Sequence, residues 1–499
     1  MNEAAPPGSV IASRLFWSLC LVLVLHLSNW GPNSDTMARN MAALSLTLGN
    51  EHALVIDRFV ANMPGGPEQF IDKATLNGHY YSGMAPGVSI LLAPAGAVAG
   101  RIAWLVYPRV AHASAGGSGP MTRENVELLV LQFLGSLLLV VPLTAWAWTR
   151  LYRHLTEQLQ LSTGVSLLAV AAGALCSSIA IYSTYISGKQ IAAMLGLLAF
   201  TYAFASRDTE RVRQRLAFAG FLTGAAVACE YTMAIFAICI FAYVAWTRTW
   251  RETVIFGLGG AVWVGVLAWY HTAAFGGPLM TAYHFRWELA TGTGHTAHPA
   301  FAQFSLERLW GMTLSTYKGI FVYTPWFVLA LAGFWQWLRR PDYRREILLF
   351  LAIILGFLEL LSFSPVWSAG GWGMRYLLPI FPYFSIGLAI WLGDSPRSKA
   401  LRWLTWALIG VAFVINYLPF GAGEASSVDP LWSAPILYVA RHIMANGFSL
   451  YSVDFVARNV RALALVQRIV LHLLIYGTMF TGLAVIWRRE LRATARRTS

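Results

Sequence analysis

A dozen long apolar runs constrain this chain more than any other feature of its sequence. Each is close to the ~20 residues that an α-helix needs to cross the hydrocarbon core of a bilayer. Only helices and closed barrels satisfy their backbone hydrogen bonds inside a membrane, so runs of this length predict an all-α polytopic membrane protein. The runs lie near residues 14–30, 124–148, 163–181, 190–206, 214–229, 231–247, 254–274, 319–338, 346–363, 374–393, 401–419 and 468–487.

Composition agrees with this interpretation. The 499 residues are 57% hydrophobic and 12% charged, whereas soluble proteins are about 25% charged. The net charge of +13 does not indicate a nucleic-acid partner, because most arginines lie in short clusters at the ends of apolar runs, where they set membrane topology. The four cysteines lie inside apolar runs without CxxC spacing and are interpreted as small core residues.

The basic clusters near residues 150, 210, 250, 342 and 399, together with the C-terminal tail, are predicted to be cytoplasmic. A further apolar run at 84–107 contains Pro86 and Pro94, and the crossings count correctly only if it does not span. The prediction is therefore twelve spans in an inner or plasma membrane, with both termini cytoplasmic. The segment 84–107 is expected to be re-entrant or to lie along the outer interface.

This topology places residues 31–123, 182–189, 275–318, 364–373 and 420–467 on the outer side. Polar residues that topology does not explain concentrate there. Acids and cations from separate loops that meet beside a bilayer would suit an anionic lipid-linked substrate and a polar acceptor. We assign 1–419 to a catalytic transmembrane domain whose outer loop 31–123 carries the site, and 420–499 to an outer segment, a last helix and a basic tail. The residues concerned are Asp35, Arg39, Asp57, Arg58, Asp72, Lys73, His79, Tyr80, Tyr81, Tyr182, Tyr185, Lys189, His284, Arg286, Glu288, Lys318 and Arg375.

Several of these residues lie in short segments that resemble one family. An early Asp in a large first outer loop, the segment GHYYSGMAPG from position 78, and the later segments YSTYISGK, YKGIFVYTPW and WSAGGWGMRYLLPIFP are similar to those of the GT-C glycosyltransferases. Within that group the chain resembles bacterial dolichyl-phosphate-mannose mannosyltransferase-like proteins, and more distantly protein O-mannosyltransferases and the aminoarabinose transferase of lipid A. The resemblance extends to about residue 395.

The resemblance implies a bundle of about twelve transmembrane helices with a large first outer loop and re-entrant or juxtamembrane helices. It also implies an inverting transfer of a monosaccharide from a polyprenyl-phosphate carrier to a lipid, glycan or protein acceptor. The family's base is an acid just after the first span, which corresponds to Asp35. The alternative role for Asp35 is the N-cap of the helix that follows it.

Asp72 is the second candidate acid, either to position the acceptor or to share Mg²⁺ or Mn²⁺ with Asp35, because such ions prefer oxygen ligands. Its alternative is a loop acid paired with Lys73. His79, Tyr80 and Tyr81 are expected to line the mouth of the site and to contact a sugar, although tyrosines also populate ordinary interfacial belts.

Three cations are assigned to the donor phosphate. Arg375 and Lys318 each stand at the outer end of a span, where the positive-inside trend predicts none. A guanidinium suits bidentate binding of phosphate, while the alternative for Arg375 is a snorkelling side chain. Lys189 occupies a position where the related family tends to carry His. The rival functions are a transporter or flippase of lipid-linked sugars and a polyprenyl-diphosphate glycan ligase.

Overall fold

A computed structural model describes most of the chain. The described residues are 7–28, 34–47, 54–62, 67, 70–110, 122–205, 211–285, 303–364, 367–368, 370–393, 398–422, 434–459 and 463–488. Arg286 and Glu288, assigned above to the outer face, lie outside these ranges.

The described residues form α-helices joined by short turns, with a single β-hairpin. The helices are α1 Pro7–Leu25, α2 Ser34–Thr47, α3 Asp57–Ala61, α4 Gly87–Val110, α5 Arg123–Gly135, α6 Val141–Arg153, α7 Thr163–Leu175, α8 Ile179–Tyr182, α9 Gly188–Ala205, α10 Val212–Cys229, α11 Ala234–Thr247, α12 Trp250–Phe275, α13 Leu306–Thr313, α14 Ile320–Tyr323, α15 Phe327–Leu338, α16 Arg344–Ser362, α17 Phe381–Gly393, α18 Lys399–Tyr417, α19 Pro435–Asn446, α20 Tyr451–Asn459 and α21 Leu465–Ile486. A 3₁₀ turn, Arg375–Ile380, leads directly into α17.

Six helical segments are long and apolar enough to cross a membrane, and five shorter apolar helices accompany them among the described residues. The prediction of an all-α polytopic membrane protein is confirmed. The long segments are Gly87–Pro108, Arg123–Gln158, Trp250–Phe275, Arg375–Gly393, Lys399–Gly421 and Leu465–Ile486.

Burial divides these helices into central and peripheral ones. In the apolar stretch that contains α17, 78% of the residues are buried inside the protein, whereas in that of α21 the share is 0%. α9 is buried along its length. At the periphery, α21 joins the bundle through α1, where Trp487 Nε1 donates to Ser18 Oγ at 2.9 Å. The proposed boundary at residue 419 stays a prediction.

Small residues allow α10 and α12 to pack backbone against backbone. A Cβ added to Gly220 would lie 1.9 Å from the carbonyl oxygen of Phe256, and one added to Gly259 would lie 2.1 Å from that of Ala217. Membrane helices gain little from the hydrophobic effect between themselves, so close packing over small residues is a main source of their association. Glu230 directly follows α10.

The hairpin pairs β1 Lys73–Leu76 with antiparallel β2 His79–Ser82, in the register Lys73↔Ser82 to Leu76↔His79. Its two turn residues, Asn77 and Gly78, have φ of 52° and 81°. This is the left-handed conformation that two-residue hairpin turns require and that Asn-Gly adopts readily.

The segment 84–107 forms one continuous helix, α4, and not a broken one. Pro86 precedes its first turn, and Pro94 lies inside the helix. Neither proline therefore interrupts the helix. α4 packs on α2 and α5, and a Cβ on Gly87 would lie 2.4 Å from the backbone of Ala228.

That α4 does not cross the membrane stays a prediction, and cysteine labelling tests it. In a variant without the four native cysteines, we expect a membrane-impermeant maleimide to label Ala115→Cys in intact cells but not Glu157→Cys. If α4 does not span, residue 115 is outside and the exposed Glu157 at the far end of the next helical segment is inside. Labelling of Glu157→Cys alone would contradict the topology.

Candidate active site

The candidate site is built on the first turn of α2, where Asp35 and Arg39 are both buried. Arg39 forms an ion pair with the Asp35 carboxylate one helical turn away, and its Nη1 also lies 3.3 Å from the Asp35 carbonyl oxygen. The second carboxylate oxygen of Asp35 accepts from Lys189 Nζ at 3.3 Å. An ion pair at this i, i+4 spacing is of the kind that favours the charged form of a carboxyl group, so a role for Arg39 in keeping Asp35 ionised stays a prediction.

Asp35 belongs to the first turn of α2, which begins at Ser34. The alternative role as the N-cap was wrong, because a cap precedes the helical residues. A negative charge in the first turn is still favoured by the helix dipole.

Glu230 completes the cluster, and sequence reasoning missed it. It ends α10 in an extended conformation (φ −154°, ψ 113°), and its Oε2 lies 3.7 Å from Arg39 Nη2 and 3.5 Å from Lys189 Nζ. A signal was present: Glu230 is a lone acid between the apolar runs 214–229 and 231–247, at a turn that the crossing count places outside.

Two acids and two cations thus alternate in a buried cluster of Asp35, Arg39, Lys189 and Glu230, which we call the charge cluster. Leaving one member of such a cluster unpaired is costly, because a buried charge loses its solvation without gaining a partner. Gly188, the first residue of α9, leaves space for the Arg39 guanidinium, since a Cβ at this position would lie 2.5 Å from Arg39 Nη2.

Arg375 approaches this cluster through Tyr376. The Arg375 guanidinium lies 5.2 Å and Lys189 Nζ 4.6 Å from the centre of the Tyr376 ring. Arg375 Nη2 is 3.5 Å from the Tyr376 hydroxyl, whereas its buried Nε has no hydrogen-bond partner within the part of the chain that the structure describes. Among those residues Arg375 also makes no ion pair.

Lys318 is held by the glycine-rich segment before Arg375. Its Nζ donates to the carbonyl oxygen of Gly371 at 2.7 Å. Gly371 has φ of 113° and a Cβ there would lie 2.5 Å from the Tyr182 hydroxyl, which donates to the Trp372 carbonyl at 3.1 Å. At this segment the backbone therefore lies close to the side chains of Lys318 and Tyr182.

Burial, and then the positive charge of Arg375, lower the pKa of Lys318 to about 7. In the unfolded chain the pKa of this lysine would be about 10.4. Between these values the unfolded state binds more protons, so the contribution of this group to stability rises with pH. An anion beside Lys318 would act in the opposite direction and restore the charge.

This predicts that an anionic donor binds more weakly as the pH rises above 7. If only charged Lys318 is competent, affinity should fall roughly 15-fold between about pH 7 and pH 8.5. Calorimetric titration of the donor at several pH values measures it. Lys318→Arg should bind with little pH dependence, because arginine stays charged. A wild-type Kd that does not change over this range would contradict the role of Lys318.

Asp72 lies buried just before β1, and its carbonyl oxygen accepts from the Gly83 amide at 2.8 Å. Burial lowers the pKa of Arg39, and the negative charges of Glu230 and Asp72 oppose that shift. Asp72 is therefore within electrostatic reach of the charge cluster. Lys73 Nζ donates to the carbonyl oxygens of Pro67 and Phe70 at 2.5 and 2.6 Å.

His79, Tyr80 and Tyr81 make contacts that organise the hairpin. Asp57 accepts from the His79 ring at 2.7 Å and from the Tyr80 amide at 2.5 Å, while the Tyr81 ring packs 5.4 Å from that of Phe275. Asp57, the first residue of α3, thereby ties α3 to β2. β2 packs on α2, which places the hairpin beside the helix that carries Asp35.

A divalent metal fits this arrangement poorly. Arg39 and Lys189 already engage the Asp35 carboxylate, and within the described ranges no group of three or more His, Cys, Asp or Glu residues is arranged to hold an ion. Sharing of Mg²⁺ or Mn²⁺ between Asp35 and Asp72 stays a prediction that gains no support from these contacts.

No protein-family model and no curated protein matches the sequence. Two solved structures of ArnT from Cupriavidus metallidurans are similar in fold. The apo structure is 13% identical with a TM-score of 0.49, over 96% of this chain and 74% of that one. The structure bound to undecaprenyl phosphate is 14% identical with a TM-score of 0.49, over 97% and 75%. Identity this low does not carry site residues from one chain to another.

Proposed function

We propose that the chain is a membrane glycosyltransferase of the GT-C type, which transfers a monosaccharide from a polyprenyl-phosphate carrier to an acceptor on the outer side. The observation that carries the proposal is Arg375. Among the described residues, its guanidinium has no carboxylate partner and its buried Nε donor has no acceptor. Arg375 also lies beside the charge cluster. A guanidinium in this state suits a phosphate oxygen.

The proposed reaction needs a base for the acceptor on one side of the anomeric carbon and a site for the leaving phosphate on the other side. The acceptor hydroxyl or amine gives its proton to the Asp35 carboxylate as its oxygen or nitrogen bonds to the anomeric carbon of the sugar. The bond from that carbon to the phosphate oxygen breaks, and the phosphate leaves with the electron pair. Attack opposite the leaving group inverts the anomeric centre.

Arg375 and Lys318 would stabilise the negative charge that develops on the leaving phosphate, which is the kind of electrostatic stabilisation that lowers such barriers most. Arg39 and Lys189 would keep Asp35 ionised before the acceptor arrives. Glu230 contacts the same two cations as Asp35. It would balance part of their positive charge, so that Asp35 is not the only carboxylate that attracts them. We propose Glu230 as a positioning residue.

Finer assignments rest on the sequence resemblance. The transferred sugar would be a hexose or a pentose, and the acceptor would be a lipid, a glycan or a protein. Asp72 and the hairpin residues His79, Tyr80 and Tyr81 would contact the sugar or acceptor at the edge of the site. The site would face outward, with both termini cytoplasmic.

A transporter or flippase is the main rival. Transporters place polar groups on broken helices near the middle of the membrane. Here the members of the charge cluster lie at helix ends: the first turns of α2 and α9 and the end of α10. Charges at one end of the bundle favour interfacial chemistry over passage through it.

Mass spectrometry of lipid-linked sugars and envelope glycans tests the proposal. A deletion strain should accumulate one polyprenyl-phosphate monosaccharide and lose the matching sugar from an envelope component. A strain with Asp35→Asn should show the same pattern, and the wild-type gene should reverse it. Accumulation of a polyprenyl-diphosphate oligosaccharide would instead indicate a glycan ligase. A purified, reconstituted chain that moves the donor across vesicles without transferring its sugar would indicate a flippase.

A further inference from the structure

A shallow, open groove of about 510 Å³ lies along the exposed face of the first two turns of α18, far along the chain from the charge cluster. It is lined by Lys399, Arg402, Trp403 and Trp406. These positions are spaced i, i+3, i+4 and i+7, so they share one face of the helix. Trp403 is 75% and Trp406 56% exposed.

The two cations of this groove, Lys399 and Arg402, differ in their contacts from arginines of other predicted cytoplasmic clusters. Arg339 lies 4.7 Å from the ring of Trp335, and Arg345 lies 5.0 Å from the ring of Trp246. Within the part of the chain that the structure describes, the side chains of Lys399 and Arg402 make neither a ring contact nor an ion pair. Their charge is open to a ligand.

The surface around the groove indicates which ligand. The groove continues along the helix into exposed apolar residues, Phe413 and Val414, as expected for a helix that faces acyl chains. Tryptophan prefers the level of lipid headgroups, and basic pockets at the cytoplasmic side of membrane helices attract anionic headgroups. The ligand must therefore carry a negative head and an apolar tail.

We propose that this groove is a binding site for an anionic phospholipid of the cytoplasmic leaflet. Lys399 and Arg402 would contact the phosphate, and Trp403 and Trp406 would pack against the glycerol and the upper acyl chains. The inference is independent of the proposed transferase activity, because it rests on different residues and on the opposite predicted side of the membrane.

Native mass spectrometry of the purified full-length chain tests the site, with phosphatidylglycerol and phosphatidylcholine of matched acyl chains as probes. Each basic residue near an anionic headgroup is worth about fivefold in affinity, so wild type should prefer phosphatidylglycerol by roughly 30-fold. The double variant K399Q/R402Q should lose this preference. The double variant R339Q/R340Q is the matched control: it removes two charges from another predicted cytoplasmic cluster and should keep the preference.

The variant W403A/W406A, which keeps both charges, should bind both lipids more weakly. All four residues are exposed, so size-exclusion profiles and unfolding temperatures should match the wild type. An unchanged lipid preference in K399Q/R402Q, or an equal loss in the control, would overturn the assignment. Displacement of bound phosphatidylglycerol by glycerol 3-phosphate would mark a site for soluble anions and would overturn it as well.

Discussion

Replacing Asp35 by Asn should lower turnover by ~10²–10⁴-fold while donor binding remains intact, because a general base is worth about that much. Asn keeps the size of the side chain and one acceptor oxygen, but it cannot take a proton from the acceptor. The measurement is single-turnover transfer from a polyprenyl-phosphate sugar by purified enzyme, together with donor affinity. Because the change removes a charge from a buried cluster, size-exclusion profiles and unfolding temperatures should first establish that the variant is folded.

A second substitution separates a base from a residue that only balances charge. Glu230 contacts the same two cations as Asp35, so Glu230→Gln removes a comparable charge from the charge cluster. If Asp35 is the base, Asp35→Asn should reduce turnover much more than Glu230→Gln does. Asp57→Asn, outside the cluster, should have a small effect. Equal losses in the first two variants, or near-normal turnover of folded Asp35→Asn, would remove Asp35 from the mechanism, and Asp72 would be tested next.

Removal of the Arg375 guanidinium should weaken donor binding by about 1.5–3 kcal/mol, the usual worth of a hydrogen bond to a charged group. This corresponds to a Kd that is roughly 10- to 150-fold higher. Arg375→Ala should also lower turnover, since the leaving phosphate loses a cation. Arg375→Lys should lie between wild type and Arg375→Ala, because lysine keeps the charge but loses the planar fork. Calorimetry or a binding assay with a labelled donor measures the series.

Arg101→Ala is the matched control for net charge. Arg101 is an exposed residue of α4, so its loss changes the formal charge by the same amount without touching the site. Donor affinity should be unchanged in this variant. Wild-type affinity in a folded Arg375→Ala protein would exclude Arg375 from the phosphate site and would leave Lys318 and Lys189 as the cations to test.

Local features of the sequence predicted part of the site. Asp35 and Arg39 are spaced i, i+4, which places them on one helical face and predicts their ion pair. The hairpin at Asn77-Gly78 was not predicted, although Asn-Gly between two strands is a signal for a two-residue turn. The contacts of Asp57 with His79 and Tyr80 were not predicted, because they depend on how α3 meets β2 across more than twenty positions of the chain.

By itself, the sequence determined that this is an all-α polytopic membrane protein, because long apolar runs have no other stable arrangement in a bilayer. Tertiary structure alone decided that Lys189 and Glu230 meet Asp35, and that Tyr376 lies between Lys189 and Arg375. The physical reason is that these residues come from four separate segments, α2, the start of α9, the end of α10 and the turn before α17. Their side chains meet only after the helices pack, and no periodicity along the chain records which helix ends become neighbours.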